Sequence, residues 1–394
     1  PPFAGGIVRI TGKTVYVLGA GASAHTGAPL LKDFLVKARM LYQSHSKLEK
    51  RDEFKRVFDR IDRLRAASYH VEFDIDNLEH VFSLAEMEKQ ILPNGGGTFA
   101  EDLRWVLLET LDRSRVRLAR KQPQTDSTYH KFQSLIRETN EKRQKICLGD
   151  PGCFAPDVVV SFNYDVRLDN SIWQQWKEPY YGFNDKEKCH LSALTLLKLH
   201  GSTNWAICKG PLCESKETAS RIQVLQPLPF PVFPGRPAEH PVDVPEDDFT
   251  MVTRAMAMTP CRQCGQADLR PVVIPPTWSK IVQNPDLAKV WAAAVNAVKD
   301  AFQIVVVGYS LPQTDTFFQY LLTLGLSENP VLNRIVVVNR DGSDEIKARY
   351  ARVLSRSHRQ QGRLVFIRSP FNEFVEQKME QVGSELDLPT DWFS

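Results

Sequence analysis

Six short, unbroken apolar runs rich in β-branched residues constrain this chain more than any other feature. They are Thr14–Leu18, Asp157–Phe162, Leu196–Leu199, Gln303–Val307, Arg334–Val338 and Arg363–Ile367. A strand that alternates apolar and polar residues buries one face; a strand that is apolar throughout buries both. Helical patterns separate several of the runs. Leu287, Val290, Trp291, Ala294 and Val298 line one helical face, and Asn284-Pro285 supplies a cap and a preset first turn. Strands alternating with helices predict an α/β fold. The expected form is a doubly wound, mostly parallel, Rossmann-like sheet with a helical insertion and a small zinc-ribbon-like module.

Two segments break this rhythm. Residues 33–144 contain no strand-like run, and Phe54, Val57, Phe58, Ile61 and Leu64 follow helical spacing with charges between them. They are expected to form a helical insertion that serves assembly and control without chemistry of its own. Arg60 and Arg63 are expected on its exposed surface. The second break, 226–248, holds seven prolines and cannot be regular helix or central strand. The expected organisation is a nucleotide-binding domain over 1–32 and 145–394, a zinc and proline-rich module inserted at 206–270, and the insertion at 33–144.

Composition excludes several functions. Fifty basic and 47 acidic side chains leave a net charge of +3. That is too little for nucleic-acid binding by bulk charge, and the basic stretches 47–65 and 113–121 read as solvated helix faces. No apolar run approaches the roughly 18 residues a membrane helix needs. Seven cysteines in so long a chain do not form a disulfide framework, so a reducing, cytoplasmic location is expected.

The chemistry-bearing motifs fall at strand ends, where open α/β sheets bind ligands. After the first run come Gly19-Ala20-Gly21-Ala22-Ser23 and Gly27-Ala28-Pro29, a glycine turn before a helix that suits a pyrophosphate. No acidic residue follows at a second strand end in the way a dehydrogenase requires. Asn163 and Asp165 close the second run; they either face a ligand or cap the next helix. His200 follows the third run and precedes Gly201, Ser202, Thr203 and Asn204. It is either a structural histidine or a base near a sugar hydroxyl. Gly308 and Ser310 follow the fourth run and suit ribose or phosphate, whereas Asp315 reads as a helix cap. Asn339 offers an amide after the fifth. Cys208 and Cys213, then Cys261 and Cys264, have the paired form of a zinc knuckle or are free thiols in a surface loop. Cys147, Cys153 and Cys189 have no such spacing.

Together and in this order, these motifs resemble the sirtuin-like, NAD-consuming family. GAGAS with its following G-A-P is similar to the family's cofactor-loop opening, S-F-N-Y-D to its Q-N-I-D block and K-L-H-G-S to its H-G block. The cysteine pairs follow that block as the sirtuin zinc module does, and G-Y-S and V-V-V-N-R-D resemble the late nucleotide contacts. Phe162 stands where protein-deacylating sirtuins carry Gln, and Leu30-Leu31-Lys32 replaces their Asp-Phe-Arg. S-F-N-Y-D, K-L-H-G-S-x-N-W and G-Y-S-L-P-x-T-D are instead similar to the bacterial sirtuin-like NAD hydrolases of anti-phage defence, of the HerA-associated type.

The resemblance implies NAD+ as substrate and a structural zinc on Cys208, Cys213, Cys261 and Cys264. It implies pyrophosphate contacts from Gly19, Ala20, Gly21 and Ser23. Asn163 would position water at the reacting sugar carbon, His200 would contact the ribose and act as base, and Asp165 would hold the carboxamide. Gly308, Ser310 and Asn339 would contact phosphate or ribose. Homo-oligomerisation and a HerA-type hexameric ATPase partner are implied too, with no membrane and no sequence-specific nucleic-acid contact. Protein deacylation and a non-catalytic NAD or ADP-ribose sensor and assembly scaffold are the alternatives.

Overall fold

The computed structural model describes residues 12–26, 29, 33–71, 73–92, 97–121, 127–146, 154–175, 178–184, 194–214, 221–225, 251–266, 268–274, 284–311, 316–354, 362–377 and 379. Each of the six apolar runs forms a strand of one sheet. These are β1 (Lys13–Leu18), β2 (Val158–Ser161), β3 (Thr195–Lys198), β7 (Ala301–Val307), β8 (Arg334–Asn339) and β9 (Leu364–Arg368). All neighbours pair in parallel, in the order β3-β2-β1-β7-β8-β9. Val17 lies opposite Val160 on one side and Val306 on the other, and all three are buried. This is a doubly wound, Rossmann-like α/β sheet. The chain builds outward from β1 to one edge, returns to the centre, and builds to the other edge. Loops leaving β1 and β7 therefore diverge and open a crevice at the strands' C-terminal ends.

The helix α10 (Pro285–Lys299) covers the sheet as its sequence requires. The Asn284 side chain accepts from the backbone N–H of Asp286 (2.9 Å) and Leu287 (3.2 Å), and the five residues of the predicted stripe are buried. Four helices of the insertion, α2 (Phe34–Ser44), α3 (Arg51–Arg65), α4 (Leu78–Ile91) and α5 (Phe99–Lys121), share a core of their own around Phe54, Phe58, Phe82 and Val106. The helix α6 (Ser127–Ile146) differs. Its Tyr129, Phe132 and Ile136 belong to the core of the sheet, with Phe132 edge-on to Tyr16 at 5.4 Å. Arg143 of α6 pairs with buried Asp157 at 2.7 Å, and Asp157 also accepts from the Thr14 N–H at 2.7 Å.

Arg60 is not free on a solvated face: it bonds Glu88 at 2.9 Å and ties α3 to α4. Charge reversal there would disturb the insertion's own packing.

A second sheet is antiparallel and small. It consists of β4 (Gly201–Cys208), β5 (Gln223–Val224) and β6 (Leu269–Val273), in the order β5-β4-β6. With α9 (Met251–Met258) it encloses Cys208, Cys213 and Cys261, and Trp105 and Leu108 of α5 complete that core. The proline-rich 226–248 stretch, Cys147, Cys153, Cys189, Gly27, Ala28, the 30–32 stretch, Thr314 and Asp315 lie outside the described residues. Among the described residues, no helix is long and apolar enough to cross a membrane.

Candidate functional site

A cavity of about 530 Å³ opens where the strand order reverses, a size typical of a small-molecule cleft. Its floor is built where the loops leaving β1 and β7 touch before they part. The Gly19 N–H donates to Val307 O (2.9 Å) and the Gly21 N–H to Gly308 O (2.7 Å). Gly308 has φ +63, and a Cβ there would stand 2.2 Å from the Ala22 nitrogen. The glycines therefore meet a packing demand first, letting one backbone lie on the other. The helix that follows, α1 (Ala20–Ser23), is a single turn continued by a 3-10 turn, Ala24–Thr26. The N–H groups of Gly19 and Gly21 are spent inside the protein. Ala20, Gly21 and Ser23 still face the cavity, and Gly19 lies behind them.

The ends of β2 and β3 supply the polar wall. Asn163, Asp165 and His200 all line the cavity. The Asn163 Nδ2 donates to Gly19 O (2.9 Å) and to Ser23 Oγ (3.2 Å). Ser23 Oγ donates to Asp165 Oδ2 (2.8 Å), and the other Asp165 oxygen accepts from the Arg167 N–H (3.2 Å) at the start of α7 (Arg167–Gln175). Asp165 thus caps a helix and faces the cavity at once. Beneath it, Lys198 is buried, pairs with Asp169 (3.0 Å) and donates to the Asp165 carbonyl (2.6 Å). This buried charge is compensated on every side and holds the loop.

His200 packs edge-on to Phe162 (5.1 Å) and beside Tyr164 (5.8 Å). Phe162 stacks on Tyr309 at 4.7 Å. Gly201 takes φ +78 and lies so close to Val272 O that any side chain would collide, which fixes the turn carrying His200. Ser202 and Asn204 do not reach the cavity. They are β4 residues spent on each other (2.6 Å) and on Leu225 O (3.1 Å).

The opposite wall comes from β7 and β8. Gly308, Ser310 and Asn339 line it with Arg340 and Asp341. Asn339 Oδ1 accepts from the Asp341 N–H (3.0 Å), so its carbonyl is occupied in a turn. Tyr350 OH donates to Tyr309 O (2.8 Å) and pins this loop from α12 (Asp344–Val353).

Several wall residues lie outside the sequence motifs. His25 sits beside Phe371, 5.8 Å between ring centres. Asn77, Leu78 and Glu79 of α4 and its cap, with Leu107 and Leu111 of α5, form a wall contributed by the insertion. The insertion thus supplies part of the cavity wall as well as a core of its own. A helical stripe signals that these leucines are buried; it carries no sign of what they face.

The four cysteine sulfurs lie within 4.8 Å of one another, with Cys208 and Cys264 at 3.6 Å and Cys213 and Cys261 at 3.7 Å. Four thiolates at about 2.3 Å from zinc stand roughly 3.8 Å apart, so this cluster is shaped to hold the ion. The Gly210 N–H donates to Cys208 Sγ (3.3 Å), and the Gln263 N–H (3.3 Å) and Gln223 Nε2 (3.1 Å) donate to Cys261 Sγ. Burial pushes the Cys208 and Cys213 thiols up; it pushes Cys261 up too, but the N–H groups of Gln263 and Cys264 and the Gln223 and Cys213 side chains outweigh it and lower that thiol to about 6. Donors aimed at sulfur are what a metal-bound thiolate needs.

No protein-family model matches the chain, and no curated protein does. Among solved structures it is similar to a Sir2 homologue in complex with NAD, at 14% identity, 95% coverage of this chain, 92% of that one and a TM-score of 0.41. It is also similar to a structure addressing the mechanism and regulation of Sir2 enzymes (13% identity, 95% of each chain, TM-score 0.40). A third is Sir2 with a p53 peptide and NAD+ (12%, 95% and 94%, TM-score 0.39). Identities and scores this low leave the fold to be argued from strand order alone.

Proposed function

We propose that this chain hydrolyses NAD+ at the nicotinamide–ribose bond, giving nicotinamide and ADP-ribose. One observation carries the reading. Asn163, Asp165 and His200, from two adjacent strand ends, share a single cavity with Gly308, Ser310 and Asn339 from the other side of the crevice. The reaction needs little more. The bond electrons leave with the ring nitrogen of nicotinamide and neutralise its charge, and the sugar passes through an oxocarbenium-like state. Water adds to the sugar carbon and gives its proton to the His200 imidazole. Asn163 orients that water, and Asp165 holds the carboxamide of the leaving group. Positioning and electrostatics suffice, without a covalent nucleophile.

In this reading 1–32 and 145–394 form the NAD-binding domain, interrupted by the 206–270 module and by the 33–144 insertion. Zinc on Cys208, Cys213, Cys261 and Cys264 would be structural. The motif resemblance supports a role as an NAD-depleting effector in bacterial anti-phage defence. It also supports homo-oligomers and a HerA-type hexameric ATPase partner.

The test is incubation of the full chain with NAD+, with and without an acetylated peptide, followed by identification of products. Nicotinamide and ADP-ribose without peptide are expected. Peptide-dependent acetyl-ADP-ribose would make the chain a deacylase, and binding without products would make it a sensor. Asn163→Ala and His200→Ala should each lower turnover by about a hundredfold or more while leaving the fold intact. Near wild-type turnover in either would remove that residue from the site.

A further inference from the structure

The proton ledger of the site points to a residue that none of the motifs contains. Tyr129 lies in the first turn of α6, 2% exposed, packed against Phe371 at 5.3 Å. Its hydroxyl is 2.7 Å from Ser23 Oγ. Ser23 Oγ is 2.8 Å from Asp165 Oδ2 and 3.2 Å from Asn163 Nδ2. A serine hydroxyl owns one proton, and in the bond to Asp165 it is the donor. The Ser23 proton therefore goes to Asp165. Tyr129 must then be the donor in its bond to Ser23, and Ser23 must accept from Asn163.

The same count orients the amide. The two groups facing the Asn163 amide are Gly19 O, which can only accept, and Ser23 Oγ, whose proton is already spent. The NH2 end must face both. The carbonyl Oδ1 is left for the cavity, and no group among the described residues donates to it. An amide's two ends are otherwise interchangeable in shape, so this network decides which end a ligand meets.

We propose that Tyr129 is a positioning residue. By donating to Ser23 it orders the Ser23–Asp165 pair and keeps the Asn163 carbonyl turned toward the cavity as an acceptor for water or a sugar hydroxyl. Ser23 is then a relay within the site more than a phosphate contact. The kinetic part of this inference rests on the NAD+ hydrolysis reading; the orientation part does not.

The experiment compares full-length Tyr129→Phe, Ser23→Ala and the double variant with the wild type. In each, kcat for nicotinamide release from NAD+ should fall about tenfold with KM nearly unchanged. Because the two residues act through one chain, the double variant should fall no further than the lower single one. A second readout needs no turnover. In protein labelled with 15N-asparagine, the Asn163 side-chain amide is identified by its loss in Asn163→Asp. Its protons should exchange with solvent about tenfold faster in Tyr129→Phe, since their acceptor is no longer ordered.

Unchanged exchange in Tyr129→Phe overturns the proposal, whatever happens to kcat. So does a variant in which KM rises as kcat falls and thermal stability drops in step, because that marks a packing role. If the wild-type chain releases no nicotinamide, the hydrolysis reading fails and the exchange measurement alone decides: faster exchange upholds the orienting chain, unchanged exchange removes it.

Discussion

In the six-stranded sheet, Val159, Val160, Ile304, Val305 and Val336 lie side by side with no charge among them. In the inserted helices, apolar stripes are laced with ion pairs. Arg56 grips Asp102 through two bonds of 2.8 Å, Arg60 bonds Glu88 at 2.9 Å, and Arg104 bonds Glu86. Glu109, fully buried, is held by Arg113 and by the N–H groups of Glu49 and Lys50. Between these side chains the sheet draws its stability from apolar area removed from water, with no directional bond among them. The insertion and the cysteine module add directional ion pairs and a cluster of four thiols to apolar cores of their own. The cavity lies between the two, with a rigid floor on one side and a wall that conditions can alter on the other.

The sharpest way to separate the two regions is through the cysteines. Elemental analysis of protein purified without added metal should find one zinc per chain. Cys261→Ser should lose the metal and several kcal/mol, because structural zinc contributes folding energy directly. Trp105 and Leu108 belong to the module's core. Hydrogen exchange should therefore rise in β4, β6 and α5 while β7 and β8 stay protected. Equal loosening of the sheet would erase the distinction, and stable metal-free wild type would remove the zinc.

On the sheet side, Gly308→Ala forces a Cβ into the Ala22 nitrogen at a positive φ. A cost of about 2–4 kcal/mol in global unfolding is expected. A denaturant midpoint close to the wild type's would show that the touching loops can separate.

The next effect is set by pH. Burial raises the Asp157 carboxyl from 3.8 to about 6, despite Arg143 and the Thr14 N–H. A raised carboxyl stabilises the fold when protonated. That contribution is complete below about pH 4 and lost as pH rises through about 6, a change on the order of 2–3 kcal/mol. Asp157→Asn lacks it, so the wild type should weaken relative to the variant between pH 4 and 6 and nowhere else. Parallel pH profiles for the two proteins would contradict the raised carboxyl.

The smallest effect belongs to the insertion's outer ion pair. Arg56→Met should cost up to about 1 kcal/mol, less in high salt, because half of the Arg56 side chain is exposed. A salt-independent loss would mean that packing, not charge, holds this face.

The sheet was legible because its strands are apolar on both faces, a pattern few other structures produce. The positions of Asn163, Asp165, His200, Gly308 and Asn339 followed, since a strand's C-terminal end in such a sheet is a place as well as a sequence. The strand β4 was not legible. Its Ser202, Thr203 and Asn204 are polar yet buried, and only their bonds to Tyr164 O, to Leu225 and to one another reveal that their hydrogen-bonding groups are spent internally. Nor was the partner of α6. Tyr129, Phe132 and Ile136 repeat at the same helical interval as the stripes of α3, and periodicity states that a face is buried without stating against what.

The central strand β1 has its own neighbours far apart in time. It pairs with β2 and with β7, and β7 begins at Ala301. Ribosomes add about 5–20 residues per second, so a growing chain holds β1 with one side unpaired for tens of seconds. Gly308, which closes the floor of the cavity, is made after β7 itself. No chain that stops short of Gly308 can hold the cleft, and whatever this protein does to its ligand begins only after β7 and the loop that follows it have been made.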